Sequence, residues 1–294
     1  MTALGFDTSN YTTSTALYGD TVKNCSRLLP VREGALGLRQ SDAVFSHINA
    51  IYDLLDELYS DFSGKIDAVG VSYAPRRVEG SYMPCFKVGE TVAKSIARTL
   101  DVPCHLFSHQ EGHLAAALFS TENENLLEKT FLAWHLSGGT TELLRVEPGL
   151  KCIKIGGTSD ISAGQLIDRT GVMLGLKFPA GKELDSIASE AKPFKIKEKE
   201  LSFSLSGMEN KVREMKCEKE EIAGFVMHTI ADIVYRTTDS ALKEYGDLPV
   251  LVTGGVGGSK VLRKKMQGAI FCEPKYSADN ALGIAALANF KGGK

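Results

Sequence analysis

The chain has no apolar run approaching the roughly 18 residues that cross a bilayer as a helix, so no membrane-spanning role is expected. It also has no C-x-x-C pair: Cys25, Cys85, Cys104, Cys152, Cys217 and Cys272 are scattered. A cysteine zinc site is therefore not expected, and free thiols in a reduced, cytoplasmic protein are the natural reading. No signal peptide is expected, because Met1 leads almost directly into an apolar strand. A large excess of either charge is missing too. The 34 Lys and Arg stand against 36 Asp and Glu, a net charge of −2. That excludes the overall basic bias of a dedicated nucleic-acid binder, so any RNA contact must be local or shared with a partner. What remains is a 294-residue chain, 43% hydrophobic and 24% charged, ordinary for a globular protein and long enough for two domains.

Hydrophobic periodicity predicts alternating strands and helices, hence an α/β protein. Strands are expected at residues 3–7, 14–17, 68–72, 131–137, 142–146 and 249–253. Helices are expected at 45–58, 88–100, from His109 onward, and at 161–174, 221–243 and 280–290. The helix at 45–58 carries Phe45, Ile48, Ile51, Leu54, Leu55 and Leu58 at helical spacing. The least regular stretch is 190–201. Its Lys192, Lys195, Lys197 and Lys199 read either as a solvated loop or as contacts to RNA phosphates.

Two places show a strand, a tight polar turn and a returning strand, around Asp7-Thr8-Ser9 and around Ser137-Gly138-Gly139-Thr140-Thr141. In a third, a strand enters Gly254-Gly255-Val256-Gly257-Gly258 before a helix. Glycines let backbone amides approach an anion closely, and a following helix N-terminus adds positive potential. Each cluster alone could be an ordinary tight turn. Two phosphate-binding hairpins and one glycine-rich turn, in this order, form the pattern of the actin-like ATPase (ASKHA) fold, with two lobes and a nucleotide cleft between them.

Ser108-His109-Gln110-Glu111-Gly112-His113 sets two histidines one helical turn apart on one face, the geometry a metal ion requires of two imidazoles. Two ordinary surface or capping histidines would share that spacing. Glu111 stands two residues from each, so at about 100° per residue it points roughly opposite to both. In an H-E-x-x-H peptidase helix the glutamate follows the first histidine directly. A metal site here lacks the usual peptidase base.

These motifs, with Leu4-Gly5-Phe6-Asp7-Thr8-Ser9, Asp160 to Asp168 through Gly164, Leu201-Ser202-Phe203-Ser204-Leu205-Ser206-Gly207 and Ala278-Asp279-Asn280, follow the order of a known family. Over nearly its whole length the chain resembles the tRNA N6-threonylcarbamoyladenosine synthases. This is the TsaD family, formerly named O-sialoglycoprotein endopeptidases or glycoproteases. The resemblance implies transfer of a threonylcarbamoyl group, delivered as its adenylate, to the adenosine beside the anticodon of tRNA. It implies one divalent metal, iron or zinc, held by His109, His113 and Asp279, the three catalytic positions. Two imidazoles and a carboxylate leave positions open for a substrate oxygen. His135, two residues before Ser137, is an addition of this chain that reads equally as a fourth metal ligand or as a hydrogen-bonded histidine.

The resemblance further implies a nucleotide ligand, ATP or threonylcarbamoyl-adenylate. Ser137, Gly138 and Gly139 would offer backbone amides, Asp168 would hold the ribose with Asp185 near it, and Gly181 matches the second glycine of a Pro-Gly-Gly. Gly254 and Gly255 form the third turn, and Ser259 replaces an asparagine, which weakens a nucleotide contact. An ionised carboxylate can accept both sugar hydroxyls. The implied partners are tRNA, an actin-fold paralogous subunit (TsaB-like) docking through first-lobe helices, and the other threonylcarbamoylation proteins, with no membrane. The expected lobes are 1–115, joined by 279–294 and carrying the histidines, and 116–278, carrying the nucleotide. Residues 74–84, with Arg76 and Arg77, and Asn10-Tyr11-Thr12 depart from the family pattern. Two alternatives stay open: a non-catalytic or altered-substrate paralogue that scaffolds a true synthase, and a metallopeptidase.

Overall fold

The computed structural model describes residues 1–9, 11–30, 38–277 and 280–293. The chain divides into two compact units, Met1–Glu124 with Ala278–Lys294, and Asn125–Ser277. The expected break after residue 115 falls inside a helix that runs to Ser120 in the first unit.

The first unit holds β1 (Ala3–Ser9), β2 (Thr12–Tyr18), β3 (Lys23–Leu28), α1 (Gln40–Tyr59), β4 (Ala68–Ala74), α2 (Phe86–Leu100), β5 (Cys104–Ser108), α3 (His109–Ser120) and the C-terminal α9 (Leu282–Gly292). Its sheet runs β3-β2-β1-β4-β5. The hairpins β1–β2 and β2–β3 are antiparallel, whereas β1–β4 and β4–β5 are parallel. Every residue of β1 is buried, because the strand is central and covered on both faces. On one face Leu4, Phe6, Val69 and Val71 pack with Ile51, Leu54 and Leu58 of α1 and Val88, Ala93 and Ala97 of α2. On the other, Gly5 and Gly70 admit α9, close to Ala285 and Ile284. A β-carbon at Gly283 would collide with the Gly112 carbonyl, so this glycine lets α9 lie directly on α3.

In α1 the buried stripe is Ala43, His47, Ala50, Ile51, Leu54 and Leu58. Phe45 and Ile48, expected from their spacing to share the core face, are instead exposed with Tyr52. A helix lying on a sheet buries one stripe, and two apolar stripes compete for it here.

The second unit holds β6 (Phe131–Leu136), β7 (Thr141–Glu147), β8 (Lys151–Thr158), α4 (Ala163–Met173), α5 (Gly181–Ile187), β9 (Glu198–Lys199), β10 (Ser202–Phe203), α6 (Ser206–Glu214), α7 (Lys219–Tyr245), β11 (Val250–Thr253), α8 (Lys260–Lys265) and β12 (Ile270–Phe271). Its sheet runs β12-β11-β6-β7-β8-β10-β9. The apolar stripe of α7 covers this sheet, and Trp134 of β6, fully buried, donates its Nε1–H to Thr238 Oγ1 of α7 at 2.8 Å. Among the described residues no helix is long and apolar enough to cross a membrane.

Candidate functional site

α3 starts where β5 ends. Ser108 is its N-cap, with a capping box: the Ser108 hydroxyl accepts from the Glu111 amide, and the Glu111 carboxylate accepts from the Ser108 amide at 2.6 Å. This sets His109 as the first helical residue and His113 one turn on. Their Nε2 atoms stand 2.9 Å apart, converging on one point. The other ring nitrogen of His109, Nδ1, lies 2.8 Å from Asp7 Oδ2. Two convergent imidazole nitrogens, one backed by a buried carboxylate, suit a divalent ion of borderline softness, because a metal-bound histidine usually donates its second nitrogen to such a group. Asp279, the expected third ligand, lies outside the described residues. Among the described residues no three His, Cys, Asp or Glu side chains are grouped to hold an ion. The N-terminal turn of α9 meets α3 at Gly112, between the two histidines.

Glu111 faces away from the pair. Besides the cap, it takes Arg77 Nε at 3.2 Å and Arg77 Nη2 at 3.1 Å. Arg77 also donates to the Leu106 carbonyl. Arg77 thus braces the start of α3. Cys85, also buried in this unit, has its thiol pushed up to about 11, chiefly by burial, so it is no thiolate nucleophile at neutral pH.

The expected nucleotide residues all lie in the second unit, where they form a closed ring of contacts. β6 and β11 are parallel neighbours, with His135 opposite Thr253, so their following turns emerge side by side. His135 itself is half-buried on β6, opposite Glu142 of β7. Ser137 closes the first turn by accepting the Thr140 amide on its hydroxyl and donating its own amide to the Thr140 carbonyl. Gly254, at φ 90°, takes a conformation that glycine alone tolerates well, and any β-carbon there would strike the Leu136 carbonyl. β-Carbons at Gly138, Gly139 and Gly255 would meet open space, so these backbone faces are accessible.

α4 is set against the first turn. Its cap Ser162 donates to the Gly138 carbonyl at 2.6 Å, and Gly164 packs on Ser137 and Gly138 with no room for a side chain. Asp168, one turn on along the same face, accepts the Ala180 amide at 2.8 Å. Gly181 begins α5, which carries Asp185. Asp185 accepts the Ser259 hydroxyl at 2.5 Å and the Lys260 amide at 2.9 Å, joining α5 to the third turn and capping α8. Beside Asp168, a pocket of about 540 Å³ is lined by Arg169, Met173, Phe178, Glu209 and Arg213. Asp160 has a different role. It accepts the amides of Leu205 and Ser206 and the Ser204 hydroxyl at the start of α6. Burial pushes its carboxyl up, but these hydrogen bonds outweigh it and hold the group below the usual carboxylate range.

One residue of the first site escaped the sequence reading: Asp7. Its only local signal is an acid directly after the run Ala3-Leu4-Gly5-Phe6 within a strand. Nothing local links it to His109, 102 residues away.

Comparison with known proteins adds the family. The family model for TsaD, tRNA N6-adenosine threonylcarbamoyltransferase, matches residues 40–286. The tRNA N6-adenosine threonylcarbamoyltransferase of Carboxydothermus hydrogenoformans is 32% identical over 260 residues, covering 82% of this chain and 76% of its own. Among solved structures, full-length HypF in its phosphate- and nucleotide-bound form aligns with a TM-score of 0.60 at 15% identity, over 99% of this chain and 46% of its own. The ROK hexokinase of Thermus thermophilus aligns with a TM-score of 0.56 at 11% identity, over 99% of both chains. At such identities the likeness is one of fold, that of the actin-like ATPases. With the matched family model spanning most of its length, the chain belongs to the tRNA N6-adenosine threonylcarbamoyltransferases, a family of transferases.

Proposed function

We propose that this chain transfers the threonylcarbamoyl group of threonylcarbamoyl-adenylate to the adenosine beside the anticodon of tRNA, as a cytoplasmic enzyme. The observation that carries the reading is the convergence of His109 Nε2 and His113 Nε2, 2.9 Å apart, in a chain of this family. His109, His113 and Asp279 hold one divalent ion, iron or zinc. Support for Asp279 is its place in the chain, just before the helix that packs against α3 at Gly112. A bound divalent ion supplies Lewis acidity toward a carbonyl oxygen.

The chain's own groups bind and orient. Backbone amides of the turns at 137–140 and 254–258 take the adenylate phosphate, with the N-terminus of α4 adding favourable potential. Asp168 gives one oxygen to the Ala180 amide and the other to the ribose. Fixing the adenylate in this way holds its acyl carbon for attack by the adenosine amine, so that the new C–N bond forms as the acyl–phosphate bond breaks, AMP departs and the amine proton passes to solvent, with the rate gain that fixed orientation brings. Glu111, committed to Ser108 and Arg77, has no part in the chemistry, which argues against a peptidase.

A partner completes the enzyme. With a net charge of −2 the chain has little to offer tRNA by itself. The outer face of α1 presents Phe45, Ile48 and Tyr52, an apolar stripe suited to an actin-fold paralogous subunit. The test is mass spectrometry of tRNA nucleosides from a synthase-depleted strain carrying this gene, with His113→Ala as control. The modified nucleoside is expected with the wild type and absent from the control. Modification that persists in the control sinks the metal role, and none with the wild type, folded and metal-loaded, sinks the activity.

A further inference from the structure

We propose that Asp7 is a positioning residue for the histidine pair: its carboxylate, tied down by Ser72, keeps the proton of His109 on Nδ1 and turns the Nε2 lone pair toward the ion. The inference rests on the metal reading above and adds to it a residue outside the ligand set.

β1, β4 and β5 are parallel neighbours in the first sheet. Asp7 lies near the carboxyl end of β1, Ser72 lies on β4, and His109 follows directly on β5. The three side chains thus meet at one end of the sheet, where ligand sites of α/β proteins gather. Asp7 is 1% exposed and Ser72 fully buried. A buried carboxylate is tolerable only if its oxygens are hydrogen-bonded, and both are. Ser72 Oγ donates to Oδ1 at 2.5 Å and His109 Nδ1 lies 2.8 Å from Oδ2.

The direction of these bonds follows from what each group can do. A carboxylate only accepts, so the hydrogen between His109 and Asp7 belongs to Nδ1. In the neutral imidazole the lone pair is then on Nε2, the nitrogen that faces His113. Without an ion, the 2.9 Å contact between the two Nε2 atoms is carried by a hydrogen on His113. Asp7 therefore selects the tautomer that can ligate, and fixes the ring plane as well. With both oxygens engaged, it acts through His109 and is not itself a base.

Two measurements test this. Competition titration with a chelator gives the zinc affinity of the whole chain. Asp7→Asn is expected to weaken it 10- to 100-fold, as loss of such an outer partner typically does. Nitrogen-15 NMR of histidine-labelled, metal-free protein reads the tautomer, which a merely structural aspartate would not control. The wild type is expected to carry hydrogen on His109 Nδ1, and Asp7→Asn to lose that preference. Should Asp7→Asn fail to fold, Ser72→Ala keeps the carboxylate but frees Oδ1, and a smaller, measurable loss of zinc affinity is expected. Unchanged zinc affinity in these variants, or a wild-type His109 protonated on Nε2, overturns the role of Asp7. A wild type that binds no zinc overturns the metal reading instead, and the tautomer then decides Asp7 alone.

Discussion

Asp185 and Ser259 are bonded to each other: the serine hydroxyl donates to the carboxylate at 2.5 Å, 74 residues away in sequence. The acid expected near the ribose and the serine that stands in place of an asparagine are therefore one unit. Together they cap α8, with Ser259 accepting the Leu262 amide and Asp185 the Lys260 amide. Asp168 is bonded differently, to the amide of Ala180.

That difference separates two variants. Asp168→Ala is expected to weaken calorimetric ATP binding by a few kcal/mol at most, roughly the worth of charge-assisted hydrogen bonds. Asp185→Ala is expected to act mainly on stability, by about 1–2 kcal/mol, through the lost cap of α8. Ser259→Asn keeps a capping side chain and is expected to tighten ATP binding or leave it unchanged. Loss of ATP binding in Asp185→Ala at unchanged stability would make that acid a ribose ligand after all.

Metal analysis of anaerobically purified protein is expected to find about one ion per chain. The motivation is the converging Nε2 pair. His109→Ala and His113→Ala should each remove most of it, since the remaining ligands leave the ion underbound. Full occupancy in either variant refutes the site.

Glu111→Gln weakens the capping box and the bridge to Arg77, both at the start of α3. A stability loss of roughly 1–2 kcal/mol in urea titration is expected. tRNA modification by the folded variant should persist. Abolished turnover with stability and metal content intact would return Glu111 to the chemistry of transfer.

His47 makes the fold sensitive to acid. It is fully buried on α1, with Nδ1 2.8 Å from Thr13 Oγ1 and Nε2 without a side-chain hydrogen-bond partner among the described residues. Burial lowers its pKa from 6.5 to about 4, against smaller opposing effects of the Asp7 charge and the Ser9 backbone. Unfolded chains take up the proton near pH 6.5 and folded ones only near 4. Stability is thus full above the upper value and falls as the pH drops through this window, by on the order of 3 kcal/mol in all. His47→Gln is expected to flatten that part of the curve of unfolding free energy against pH. An unchanged slope between pH 6.5 and 4 would assign the acid sensitivity elsewhere.

Phe45 and Tyr52 are 67% and 73% exposed on α1. Phe45→Asp and Tyr52→Asp should leave stability within about 0.5 kcal/mol, as exposed substitutions do. Each is expected to abolish co-purification with the actin-fold paralogous subunit. Retained complex formation in the double variant removes this face from the interface.

Local patterns carried much of this protein's organisation. β1, β4, β6 and β11 are largely apolar runs ended by turn residues, β7 follows the glycine turn with Leu143, Leu144 and Val146, and α2, α4 and α7 repeat their apolar residues with helical period, so their positions were legible. β8 was missed because lysines alternate with its apolar residues (Lys151-Cys152-Ile153-Lys154-Ile155) and the strand is only partly buried. α6 was missed because it is mostly charged, and its start is held by Asp160, more than forty residues upstream.

By itself, the sequence determined that His109 and His113 share one helix face, that Glu111 faces away, and that glycine turns follow β6 and β11. Each of these depends on neighbours within a few residues, where backbone geometry alone sets direction. Only the tertiary structure decided which stripe of α1 lies on the sheet, leaving Phe45 and Ile48 outside. It alone gave Glu111 its partner Arg77, made Asp185 and Ser259 one cap, and brought Asp7 to His109. Those pairings join residues from 34 to 102 positions apart. They depend on strand order and helix packing, which side chains at one end of a pair cannot encode without the other.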